Sequence, residues 1–215
     1  MTVQIDGPGV TIADVVAVAR DGAQVELTDA AVRRMADARA IVERLAEGDP
    51  KYGISTGFGA LATVAIPPDR RQALQAALVR SHAAGMGDPV EDEVVRAMVL
   101  LRARTLALGA SGARPLVAEA MVDLLNAGIS PVVPEYGSLG ASGDLAPLAH
   151  GALALLGEGE VHHDGRRRPA AEALEAEGLS PITLAEKEGL AVTNGTDGIL
   201  GMLCLAVDDA QRLLT

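Results

Sequence analysis

Gly137-Ser-Leu-Gly-Ala-Ser-Gly-Asp-Leu-Ala-Pro-Leu-Ala-His150 is the stretch on which the reading of this chain turns. Its first half is built of small residues that let a backbone fold tightly on itself. Its second half opens an apolar segment, Leu145 to Leu156, with helical character. Most Gly/Ser-rich segments are merely loops, but this one also holds a chemical possibility. If the amide nitrogen of Gly143 reaches the carbonyl carbon of Ala141, a five-membered ring can close. Loss of water from that ring and from the Ser142 side chain leaves an exocyclic methylidene, an electrophile made from the chain itself.

Working outward, helices dominate. Upstream, Pro131 and Pro134 make the approach to the loop extended. Before them Pro115 starts a helix with Leu116, Ala120 and Leu124 in register, closed by Gly128. A very apolar helix runs over about residues 94–108 and suits burial on several sides. Pro67-Pro68 opens another, with Leu74, Leu78 and His82 on one face and Gly85 at its end. Nearer the start, Thr11 precedes a short helix, Gln24 to Leu27 alternates like a strand, and Thr28 caps a helix that Gly48 and Pro50 stop. Downstream, residues 159–166 suggest a hairpin, residues 170–177 a short acidic helix, and Ile199, Leu203, Val207, Ala210 and Leu214 one face of a last helix. The expectation is a mainly α fold in one domain, residues 1–215. It has a small α/β region over about residues 1–66 and a helical region over about 67–215.

Composition agrees. Of 215 residues 49% are hydrophobic, yet aromatics are only 1%, a balance that suits closely packed Ala- and Leu-rich helices. Arg or Glu interrupts each apolar run, so no membrane span is expected, and the first residues lack a signal-peptide pattern. Cys204 is the single cysteine, among apolar neighbours, and reads as a buried thiol in a reducing, cytoplasmic setting. A net charge of −11 and the near absence of aromatics argue against a nucleic-acid surface.

Several patterns fall away on inspection. Gly57-Phe58-Gly59 lacks the third glycine and βαβ setting of a dinucleotide fingerprint, and no Lys follows Gly140-Ala-Ser-Gly143 as a phosphate loop requires. His162 and His163 are neighbours in a strand and point to opposite faces, so they read as an exposed hairpin tip and no metal is expected. His150 reads as a satisfied core or loop-facing side chain. His82, ending an apolar face, and Tyr52, inside a glycine-rich loop, are less easily explained by packing. Asn194 reads as a turn residue.

Four segments change the balance when taken together. Tyr52-Gly-Ile-Ser-Thr-Gly-Phe-Gly59, Arg80-Ser-His-Ala-Ala-Gly85, Gly137-Ser-Leu-Gly-Ala-Ser-Gly-Asp-Leu-Ala-Pro-Leu148 and Asn194-Gly-Thr-Asp-Gly198 resemble, in this order, the aromatic amino acid ammonia-lyases. The resemblance covers essentially the whole chain and implies the amino-terminal part of an ammonia-lyase/fumarase-like helical fold. It implies that Ala141, Ser142 and Gly143 form 4-methylideneimidazole-5-one (MIO), with no external cofactor and no metal. By the same resemblance Tyr52 is the base for the β-proton, Asn194 hydrogen-bonds the ring, His82 contacts substrate and Asp144 aids ring formation or orientation. A phenol of ordinary pKa is a weak base at neutral pH, so that role needs an environment favouring the phenolate. The Ser81-His82 pair resembles the branch acting on L-histidine, giving urocanate and ammonia.

The chain departs from the family in two ways. Ser55 stands where Asn is often found, and family members are about twice as long, with each active site built by several subunits of a homotetramer. The resemblance therefore implies an amino-terminal portion without its carboxy-terminal helical bundle, inactive alone and associating through exposed apolar helix surface. The competing expectations are a lyase or aminomutase for another amino acid, and a non-catalytic truncated paralogue acting as a partner subunit.

Overall fold

A computed structural model describes residues 1–214. The chain opens with strand β1, Thr2–Ile5, helix α1, Ile12–Ala19, and strand β2, Gln24–Leu27, the two strands pairing in parallel. Thr11 and Asp14 close a reciprocal capping box at the start of α1, satisfying two amides that a helix start leaves unpaired. Thr28 caps α2, Asp29–Ala46, in the same manner as far as the Ala31 amide. Helix α3, Pro68–His82, begins on Pro68 with its φ already suited to the first turn. Strand β3, Met86–Pro89, follows, then α4, Asp92–Ala107, and α5, Pro115–Asn126.

Helix α4 is the central post. Ten of its residues are buried, among them Ala97, Leu100, Ala103 and Leu106, which expose nothing. Burial on every side explains why its sequence shows no clean apolar stripe. Helices α1 and α5 pack against it, as does the long last helix. Each fully buried Leu contributes roughly 1.5–3 kcal/mol of transfer free energy to this core.

The remaining elements build the site. Strand β4, Ser130–Pro131, leads to β5, Pro134–Tyr136, which pairs antiparallel with β3 and passes directly into the glycine-rich loop. Helix α6, Leu145–Leu155, leaves that loop. A hairpin of β6, Glu160–His163, and β7, Arg166–Pro169, follows, with β6 also pairing with β4. Helices α7, Ala170–Ala176, α8, Glu188–Thr193, and α9, Asp197–Leu214, complete the chain. Helices α3, α6 and α8 pack on one another, so the carboxy ends of α3 and α8 and the amino ends of α6 and α9 meet.

The mainly α fold with a small α/β start is as expected. Two expectations need correction, and two small features were missed. The hairpin histidines are not an exposed tip: His163 is buried, its Nε2 3.0 Å from Glu177, while His162 lies 2.7 Å from Asp92 on the other face. The β3–β5 pair and α8 carried no sequence signal, being only a few residues each. Finally, the run Glu188–Leu214 is long and apolar enough to cross a membrane by length and composition, its most apolar 18-residue window having mean hydropathy 1.5. It breaks at Asn194–Thr196, however, and its Glu188 and Asp197 are buried in ion pairs with Arg114 and Arg102.

Candidate active site

Helix α3 ends at His82, and the end fixes the ring. His82 Nδ1 lies 2.9 Å from the Leu78 carbonyl, which can only accept, so Nδ1 carries a proton. The Ser81 hydroxyl donates to the same carbonyl at 2.9 Å. Nε2 of His82 has no hydrogen-bond partner among the described residues. Ser81 and His82 line an open cleft of about 590 Å³, with Met86, Tyr136, Leu139 and Ala146 around them.

The loop opposite is closed on itself. The Leu139 amide donates to the Gly143 carbonyl at 2.9 Å, so Gly140, Ala141 and Ser142 sit inside a turn. Gly143 has φ +77°, a left-handed conformation that side chains disfavour. A Cβ there would also stand 2.8 Å from Ile199 Cδ1. The left-handed backbone favours glycine at that position, and a side chain there would also have to displace the tip of Ile199.

Asp144 ties this turn to the start of α9. Its side chain is buried, with Oδ1 accepting from Ser138 Oγ at 2.8 Å and Oδ2 from the Ile199 amide at 2.9 Å. Its own amide donates to the Gly195 carbonyl at 3.0 Å. A carboxylate on a helix amino terminus satisfies an unpaired amide and faces the positive end of the helix dipole. A second, apolar cavity of about 50 Å³ lies beneath, between Asp144, Met98 and Ile199.

Asn194 is held from the backbone. Buried Arg102 on α4 donates through Nη1 to the carbonyls of Ala191 and Asn194, each at 3.0 Å, and its Nη2 pairs with Asp197. Asp197 Oδ1 also accepts from Thr105 Oγ1 at 3.1 Å. The Asn194 side-chain amide is exposed and makes no hydrogen bond among the described residues. Asn194 and Leu190 line a further cleft of about 270 Å³ that includes Lys187. Burial pushes the Lys187 ammonium below its usual pKa, and its Nζ donates to the Ser111 carbonyl at 2.7 Å.

Tyr52 stands at the edge of this group. It is 54% exposed, its hydroxyl accepts from the Gly59 amide at 3.4 Å, and its ring meets Phe58 edge-on at 6.2 Å. Its link to the rest is through Gly53, where a Cβ would stand 3.3 Å from Leu190. The fold thus brings the glycine-rich loop to the His82 cleft, where Ser138 and Leu139 line the wall, and ties it through Asp144 to Gly195, next to Asn194. Asn194 itself lines the separate cleft with Leu190, the residue against which Gly53 beside Tyr52 packs. Arg102, Asp197 and Ser138 were not picked out from the sequence. The available signal was a buried-type helix over residues 94–108 carrying arginine, which requires an acidic partner elsewhere.

The profile of the aromatic amino acid lyases matches residues 10–215. The chain belongs to that family. Among curated aromatic amino acid lyases, it is 58% identical over 214 residues to the histidine ammonia-lyase of Streptomyces coelicolor, covering 99% of this chain and 42% of that one. It is 59% identical over 216 residues to the histidine ammonia-lyase of Streptomyces griseus, again 42% of the relative. Among solved structures, the tyrosine aminomutase from Streptomyces globisporus is similar with a TM-score of 0.91 at 39% identity, over 98% of this chain and 40% of that one. The histidine ammonia-lyase from Trypanosoma cruzi gives 0.90 at 38% identity, over 99% and 41%. The chain therefore spans about two fifths of the length of the aromatic amino acid lyases it matches.

Proposed function

We propose that this chain is part of a histidine ammonia-lyase, which eliminates ammonia from L-histidine to give urocanate. The observation that carries the reading is the self-closed turn at Leu139–Gly143, with Gly143 in a left-handed conformation that favours glycine and Asp144 anchoring it to α9. That geometry fits the formation of MIO: a small residue before Ser142 and an unhindered glycine nitrogen after it stand in a turn already bent back on itself. When formed, the ring supplies an electrophile that turns the substrate amine into a leaving group.

The chain's own residues do the rest. His82 offers Nε2 to an imidazole N–H in the cleft, since its Nδ1 proton is committed to Leu78. The Asn194 amide, with its backbone fixed by Arg102, donates to oxygen where charge develops at the ring. Tyr52 takes the β-proton. In the assembled enzyme this requires its hydroxyl to leave the Gly59 amide and turn inward. By the same reading the whole protein is a cytoplasmic homotetramer, and further catalytic groups come from outside these residues.

Intact mass and product analysis test the reading together. A chain two waters lighter than its sequence, and urocanate from L-histidine by the whole protein, are the expected results. An unmodified mass removes the electrophile and leaves a non-catalytic partner subunit. A β-amino acid product in place of urocanate makes the protein an aminomutase, the activity named for the Streptomyces globisporus neighbour.

A further inference from the structure

Helix α6 carries one polar side chain that the proposed reaction leaves unused, His150. Its Nε2 accepts from the Gly85 amide at 3.0 Å. Only an unprotonated nitrogen can accept, so the ring is neutral with its proton on Nδ1. The ring is half-buried, and that burial pushes its pKa below the ordinary value, which favours the accepting form.

Gly85 lies three residues beyond His82 and is clamped from two sides. A Cβ on it would stand 3.1 Å from His150 Nε2 and 3.3 Å from Pro134, and a Cβ on Gly137 would stand 3.4 Å from its Cα. Between His82 and Met86 the bond from His150 is the one side-chain hydrogen bond to the backbone among the described residues. The other backbone bonds of Ala83 and Ala84 run back into α3, to Val79 and His82, and from Met86 the chain enters the β3–β5 pair opposite Tyr136. His82 and the ring loop hang from the ends of two different helices, and His150 bridges α6 to the segment that follows α3.

We propose that His150 is a positioning residue: by holding the Gly85 amide it sets the separation between His82 and the Ala141–Gly143 loop. The proposal rests on the cleft being the substrate site of a histidine lyase. Loss of the acceptor leaves a half-buried amide unsatisfied and loosens residues 83–85, the link between His82 and the β3–β5 pair, so substrate binding weakens while ring closure proceeds.

The test compares His150→Leu with His150→Gln in the whole, active protein. A glutamine oxygen can accept from Gly85; leucine cannot. H150L is expected to raise KM for L-histidine by about tenfold or more, with H150Q restoring it to within about threefold of the parent, while both variants lose two waters in intact mass. If H150L fails to fold, His150→Asn, whose amide is too short to reach Gly85, takes its place with the same expectation. Hydrogen exchange of the peptide spanning residues 83–89 gives a readout independent of turnover: protection is lost in H150L and kept in H150Q. Equal KM in all variants overturns the proposal, as does unchanged protection in H150L or no rescue by H150Q. A parent protein without lyase activity overturns the function reading instead, and the exchange result still decides whether His150 holds Gly85.

Discussion

At the scale of single residues, Asp144 is the pivot. Its buried carboxylate takes a hydroxyl from Ser138 and an amide from Ile199, so replacing it removes the acceptor of two part-buried hydrogen bonds at once. Asp144→Ala is expected to cost about 1–3 kcal/mol of stability, read from denaturant melts, and to reduce the fraction of chains lighter by two waters. Tyr52 tests the opposite kind of residue, exposed and lightly held. If it is the base, Tyr52→Phe in the whole protein lowers kcat by about 10²–10⁴ with little change in KM, because the aromatic packing on Phe58 survives. A kcat within a few-fold of the parent removes Tyr52 from that role. His150 adds a pH dependence whose sign follows from its burial. Unfolded histidine has a pKa of about 6.5 and the folded ring a lower one, so below about pH 6.5 the unfolded chain binds more protons. Its contribution to stability is complete above that pH and is lost as pH falls through it. Melts between about pH 5 and 8 should show that loss, and it should be smaller in H150Q.

At the scale of elements, the sequence was most legible where a local residue does a local job. Thr11, Thr28, Pro68 and Pro115 mark helix starts because each acts within one turn of itself. Helix α8 is six residues long and stands on a left-handed Lys187 and on the contact of its Gly189 amide with Gln75, 114 residues away in sequence. No window of neighbouring residues contains that information. The same divide runs through the candidate site. The small residues of the loop could be recognised in a row, whereas Arg102, bonded to carbonyls and a carboxylate on two later elements, could not. The prediction for these elements is severe: Arg102→Leu leaves the Asp197 carboxylate buried and uncompensated, at about 3–5 kcal/mol. It should also loosen residues 191–197, seen as faster hydrogen exchange there than in α5.

At the scale of the whole molecule, α9 is half a core helix and half a surface. Gly201, Cys204 and Leu205 face inward, and Arg20 grips Asp208 and Asp209 to fix the far end. Ile199, Leu200, Met202 and Leu203 remain 43–57% exposed. An apolar strip of that kind on a chain spanning two fifths of its relatives is expected to associate. Sedimentation of this chain alone should show mass rising with concentration, and Leu203→Glu should lower it. A monomer at all concentrations, in the parent and L203E alike, excludes that surface as an interface.

The bond from Ile199 to Asp144 also sets an order of events in the cell. During synthesis the loop at residues 139–143 leaves the ribosome before Ile199 has been joined to the chain. The turn then lacks its anchor, and nothing holds Gly143 against Ile199. On the proposed reading, ring closure therefore belongs after α9 has docked, as a late, irreversible mark upon a finished fold. A mass lighter by two waters, the outcome that reading expects, would then be a memory: a molecule that carries it has, at least once, been correctly folded.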